Sequence, residues 1–176
     1  HQINKKQAKN EAHYQFVYDK NGKLIEVGHK IGDDLISDNG TWDSFMWFSP
    51  KVTISYSEGK EVRHFYNRYN ERIEAHGKMF KAEFDINAKG KRTAVHFYDK
   101  EGKPSENAWG IHTYKWYDHT DISVMEERFN INGESRTVRP NFTFYTIKLT
   151  YGNDDYLDFM HHLDDNENLI NNTMKA

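Results

Sequence analysis

A chain of 176 residues in which 36% are hydrophobic and 15% aromatic is long enough for one domain. Its core must come from rings more than from aliphatic side chains. A formal net charge of -3 with both signs interspersed leaves no basic footprint for nucleic acid. The absence of cysteine removes disulfides, thiolate zinc sites and cysteine nucleophiles, and no apolar run approaches the ~18 residues of a membrane-spanning helix.

Residues 1–12 are polar, with Lys5, Lys6, Lys9 and Glu11, and read as a disordered or weakly helical leader. A chain that begins at His1 rather than Met reads as trimmed, by removal of a secretory signal or at an artificial boundary. The leader equally suits the spacer behind a removed membrane anchor. From Tyr14 the pattern alternates: Tyr14, Phe16 and Tyr18 take one face and Gln15 and Val17 the other. Asp19-Lys20-Asn21-Gly22 then supplies turn chemistry, and Lys23 to Val27 returns as a second strand. The same grammar predicts hairpins over 52–67, 79–99, 111–130 and 142–163, with a polar tail over 171–176. Residues 13–170 thus form one β domain, interrupted at about 29–50 by an insertion carrying Trp42, Phe45, Trp47 and Phe48. Long segments of this kind are functional or disordered, and four rings in so short a stretch argue against disorder.

The hairpins repeat. His64-Phe65-Tyr66-Asn67 precedes His96-Phe97-Tyr98-Asp99 by 32 residues, Arg128-Phe129-Asn130 stands 32 later, and His162-Leu163-Asp164 some 34 beyond that. Ala75-His76-Gly77 and Ala108-Trp109-Gly110 form a second anchor offset by 33, with Gly28 as a third instance. A period of this size signals an array whose neighbours complete one another's burial. The expected fold is all-β: antiparallel hairpin repeats of about 32 residues in a meander of about ten strands, either open and coiled or closed as a small barrel. Alternation turns Phe65 and Phe97 to the packed side and His64, Tyr66, His96 and Tyr98 to the other.

Phe97-Tyr98-Asp99-Lys100-Glu101-Gly102-Lys103-Pro104 resembles the aromatic-Asp-x-x-Gly-Lys hairpin repeats of bacterial secreted and envelope proteins, which are similar in style to YD and MORN-type repeats. The likeness covers roughly residues 14–30 and 50–170. It implies a β-hairpin scaffold in an extracytoplasmic setting: secreted, periplasmic or associated with the outer membrane. It carries over no catalytic residue.

Three sets of side chains are candidates for chemistry. His64, His96, Tyr66 and Tyr98 recur on one strand face and, were the sheet to close, would line a cavity fit for a metal, a base or a small ligand. The same positions equally suit half-exposed strand sites that take His, Arg or Tyr freely, as Arg128 at the matching place suggests. The carboxylates Asp33, Asp34, Asp38 and Asp43, and those near the C-terminus, offer oxygen ligands for calcium. They lack the spacing of an EF-hand loop and also read as hairpin punctuation. Glu83, Glu126 and Glu127 lie on predicted strands, with nothing marking a catalytic pair. Trp109, His112, Tyr114 and Trp116, with Trp42, Phe45 and Trp47 of the insertion, form an aromatic platform for a protein or a glycan, or else simply the core. Without a nucleophile elbow, a phosphate loop or a His-Glu-x-x-His run, no cofactor or metal is expected. The favoured function is non-catalytic binding of an envelope protein or glycan through the insertion, with peripheral or lipid-anchored membrane association. The alternative is a small barrel enzyme or ligand carrier with a His- and Tyr-lined cavity.

Overall fold

Seven times among the described residues an Asp or Asn closes the same five-residue turn: Asp19, Asn67, Asn87, Asp99, Asn107, Asn130 and Asp164. At Asp99, for example, the side-chain Oδ1 accepts from the backbone N–H groups of Glu101 and Lys103 at 3.0 and 2.8 Å. Its carbonyl accepts from Gly102 and its own N–H donates to Lys103 O. The carboxylate or amide oxygen stands in for a backbone acceptor, so the chain reverses with its amides satisfied. The fourth residue of each turn sits at positive φ, at 79° for Gly102. This conformation costs a side-chain-bearing residue energy and glycine little.

Between these turns the computed structural model, which describes residues 3–36, 46–137, 142–152, 156–164 and 166–170, runs as strands. They are β1 (His13–Tyr18), β2 (Leu24–Ile31), β3 (Asp34–Leu35), β4 (Lys51–Ser57), β5 (Lys60–Tyr66), β6 (Lys81–Ile86), β7 (Arg92–Tyr98), β8 (Thr113–Tyr117), β9 (Ser123–Phe129), β10 (Thr146–Tyr151) and β11 (Leu157–Leu163). All pair antiparallel in the order β1-β2-β4-β5-β6-β7-β8-β9-β10-β11, with β3 off the path on β2. The sheet stays open, which removes the closed-barrel alternative. In the polar leader, Asn4 and Gln7 cap a one-turn helix, α1 (Lys5–Ala8), whose Ala8 carbonyl accepts from Gly32 N–H. No helix among the described residues is long and apolar enough to cross a membrane.

Four of the turns, at Asn67, Asp99, Asn130 and Asp164, are followed by a return that bridges the strand just left: Tyr66 with Arg72, Tyr98 with Pro104, Phe129 with Ser135, Leu163 with Leu169. The steps between them are 32, 31 and 34 residues. The middle step corrects one reading. A uniform spacing of 32 sets Arg128 beside His96 at a half-exposed position, but Asn130 opens its turn as Asp99 does. Arg128 therefore takes the place of Phe65 and Phe97 and is buried. A one-residue slip in register exchanges the faces of a strand. Gly28, expected as a third copy of the glycine anchor, lies inside β2 without positive φ. The other two anchors pack on each other: Ala108 N–H donates to His76 O at 2.8 Å, and the His76 ring meets the Trp109 ring edge-on at 4.7 Å.

One face of the sheet carries the core. Rows of paired residues climb across it: Val27–Val52–Phe65; Ile54–Arg63–Ala82; Tyr56–Glu61–Phe84–Val95–Tyr114–Arg128; Trp116–Glu126–Ile147; and Val124–Leu149. Phe65 and Phe97 are fully buried there, beneath Met46, Trp47, Ala75, Met79 and Ile111 from the connectors at one end. Each such ring contributes roughly 1.5–3 kcal/mol on burial. His64, Tyr66, His96 and Tyr98 take the opposite face, half-buried. The insertion begins with the β2–β3 hairpin and returns at Met46.

Candidate functional site

The connectors cover the core face at one end. Toward the turns at residues 19–23, 87–91 and 118–122 it encloses a cleft of about 1120 Å³, open to solvent and bounded by residues of every strand from β4 to β11. A face that bounds one cavity across eight successive strands is concave. The aromatic floor is ordered: Phe84 stacks on Trp116 with ring centroids 6.3 Å apart and planes within 5°, and Trp116 on Tyr114 at 6.3 Å and 18°. Trp47 closes the connector end, edge-on to Phe97 at 5.1 Å and near Tyr114 at 6.0 Å.

Two carboxylates stand in this wall, and both oxygens of each are engaged. Glu61 accepts from Arg63 Nε at 2.7 Å through Oε1 and from Arg92 Nη2 at 2.7 Å through Oε2. Glu126 accepts from Arg128 through one oxygen and from Trp116 Nε1 at 2.7 Å through the other. The guanidiniums of Arg63 and Arg92 lie over the Phe84 ring at 4.4 and 4.9 Å, and Arg128 lies 5.7 Å from the Tyr114 ring, so the cations are also packed on aromatic surface. Burial pulls the Arg63 guanidinium down to about 10 and pushes the Tyr114 phenol up to about 12. Arg63 therefore remains a cation and Tyr114 a neutral phenol, accepting from Asn107 Nδ2, at neutral pH.

The aromatic platform is divided by the structure. Tyr114 and Trp116 lie on the cleft floor and Trp109 on its wall. His112 leaves them: its Nδ1 meets Ser105 O at 2.9 Å, and its ring lies 5.8 Å from His96 and 6.2 Å from Tyr98. Trp47, read as part of a recognition loop, packs in the core, 8% exposed with the backbone at φ 50°, and bounds the connector end of the cleft. Trp42 and Phe45 lie outside the described residues. Sequence reasoning names Glu126 and Arg128 but not their pairing, and it misses Glu61 and Arg63. The signal was available, since Glu61 and Arg63 alternate in phase with Phe65 and so share its buried face.

On the opposite face His64, His96, Tyr66 and Tyr98 are not gathered. His64 pairs across to Lys81, and Lys81 to Tyr98, while His96 stands opposite Glu83 in the next row. His96 Nε2 lies 3.2 Å from Asp85 and its Nδ1 3.0 Å from Thr113 Oγ1. Lys60 bridges Glu83 and Asp85 at 2.9 and 2.6 Å. Burial favours the neutral acid at Asp85, but Lys60 and His96 outweigh it and hold the carboxyl below its ordinary value. Hydrogen bonding from Lys60 does the same at Glu83. Burial lowers His64, helped by the nearby charges of Arg72 and Lys81. No three His, Asp or Glu side chains among the described residues gather as metal ligands. Comparison of the sequence with protein-family models and with curated proteins finds no match.

Proposed function

We propose that this is a non-catalytic binding protein whose ligand lies along the concave face of the open sheet, over Phe84, Tyr114 and Trp116. One observation carries the reading: a cleft of about 1120 Å³ whose two carboxylates each have both oxygens held by Arg or Trp donors. Both carboxylates are thereby tied to donors of the wall itself. Ligand sites are concave and mostly apolar with a few placed polar groups, and this wall has that make-up. Recognition then lies in the cleft, where Trp47 of the insertion packs at the connector end. The proposal keeps the extracytoplasmic, envelope-associated setting that the hairpin-repeat resemblance implies.

The test uses N-phenyl-1-naphthylamine, a neutral probe that fluoresces in apolar surroundings. Saturable enhancement is expected with the intact chain. It should be abolished by Leu149→Trp, which places a large ring in the half-buried cleft wall without touching the closed end of the core. Enhancement unchanged in that variant, with its urea midpoint also unchanged, would refute binding in the cleft.

A further inference from the structure

Building on the concave-face reading, we infer that the ligand is an amphipathic anion: an elongated apolar body ending in a carboxylate, of the class of long-chain fatty acids. Elongation follows from the floor. The bounding residues come from eight successive strands, and at ~4.8 Å per strand the face spans roughly 30 Å along its arc. Along that arc Trp116, Leu149 and Met160 present apolar surface, with Phe84, Val95 and Ile147 buried beneath.

The anionic end follows from charge. Among the described residues the cleft is bounded by five cations, Lys23, Arg63, Lys91, Arg92 and Arg128, against two carboxylates. The lining is thus formally +3 in a chain whose total is -3, which leaves -6 for the remainder. Arg63 and Arg128 are committed to Glu61 and Glu126 deep in the wall. Lys23 and Lys91 stand exposed at the turn end, and no carboxylate among the described residues lies within ion-pair distance of either; Lys23 Nζ sits 4.9 Å over the Tyr56 ring. Arg92, with 44% of its side chain exposed, gives Glu61 only Nε and one Nη2 proton and keeps further N–H donors for a second carboxylate. A cationic mouth on a low-dielectric trough focuses the field on an entering anion. A neutral glycan would leave these cations unanswered, and a cationic ligand would be repelled by them.

Displacement of N-phenyl-1-naphthylamine by oleate, methyl oleate and dodecyltrimethylammonium separates the terms. Oleate is expected to compete at ~10-fold or more lower concentration than methyl oleate, as a charge-assisted contact warrants, and the quaternary amine least well. Lys23→Ala/Lys91→Ala, a change of two exposed side chains, should weaken oleate ~10-fold and leave methyl oleate unaltered. Equal competition by oleate and its ester, or an unaltered oleate affinity in the double variant, overturns the anionic assignment while the concave-face reading stands. Failure of the probe to bind the intact chain overturns both.

Discussion

Replacing Glu61 by Gln removes one charge from the most buried ion pair on the concave face. The side chains of Glu61 and Arg63 are 3% and 2% exposed, so Arg63 would keep its charge with no carboxylate beside it and little water to replace one. At an effective dielectric constant of ~20, two unit charges ~4 Å apart interact by about 4 kcal/mol. Breaking a buried pair from one side costs about 3–5 kcal/mol, while the Gln carbonyl, still a hydrogen-bond acceptor, recovers part of this. We expect a loss of about 3 kcal/mol for Glu61→Gln. Arg92, partly in water, adds little. The control is Glu83→Gln on the opposite face. There the partners Lys60 and Lys81 are 41% and 28% exposed, and surface pairs are worth about 0.2–1 kcal/mol. Removing both partners at once, in Glu61→Leu/Arg63→Met, should recover most of the loss, because the desolvation cost disappears with the charges. Urea unfolding of the four proteins, with m-values compared, reads all three quantities. A loss for Glu61→Gln no larger than that for Glu83→Gln would show that Arg63 is hydrated, and would refute the account of a dry, charge-balanced wall.

Two glycines at positive φ should respond very differently to alanine. At Gly102 an added Cβ meets nothing within 4 Å, whereas at Gly77 it would stand 2.6 Å from Ala108 N and 2.8 Å from Asn107 C. Gly102→Ala should cost only the conformational ~1 kcal/mol. Gly77→Ala should cost several times as much, because backbone must move, and equal shifts in urea midpoint would refute this packing of the two anchors. Acidification should lower stability in two stages. Burial holds His64, His76 and His162 below 6.5 in the folded chain, so the unfolded chain takes up protons first. Their contribution is complete above about 6.5 and is lost as pH falls toward the folded values. Glu83 and Asp85, held below 4.5 and 3.8, add a second loss on the same side, complete only once pH falls through their folded values. His64→Gln should shrink the first stage, and urea midpoints that stay level from pH 7 to 5 would refute it.

Much of this architecture is local and was therefore legible in the residues. The Asp99-to-Lys103 and Asp19-to-Lys23 turns need only one side-chain oxygen and one residue tolerant of positive φ, both within five positions of sequence. Alternation correctly turned Phe65 and Phe97 inward and His64, His96, Tyr66 and Tyr98 outward. What local pattern could not convey was register and curvature. A turn beginning one residue early moved Arg128 from a half-exposed face into the wall of the cleft. His112 satisfied the alternation with Tyr114 and Trp116 yet turned to the rings of the other face. Trp47 carried the signature of a contact loop and became the plug of the core. Whether ten paired strands close or stay open, and which face becomes hollow, depends on twist summed over every strand pair. The cleft is therefore a property of the whole sheet, assembled from side chains as distant in sequence as Lys23 and Met160. Each hairpin was written in its own few residues. The site exists only where eight strands curve around the same space.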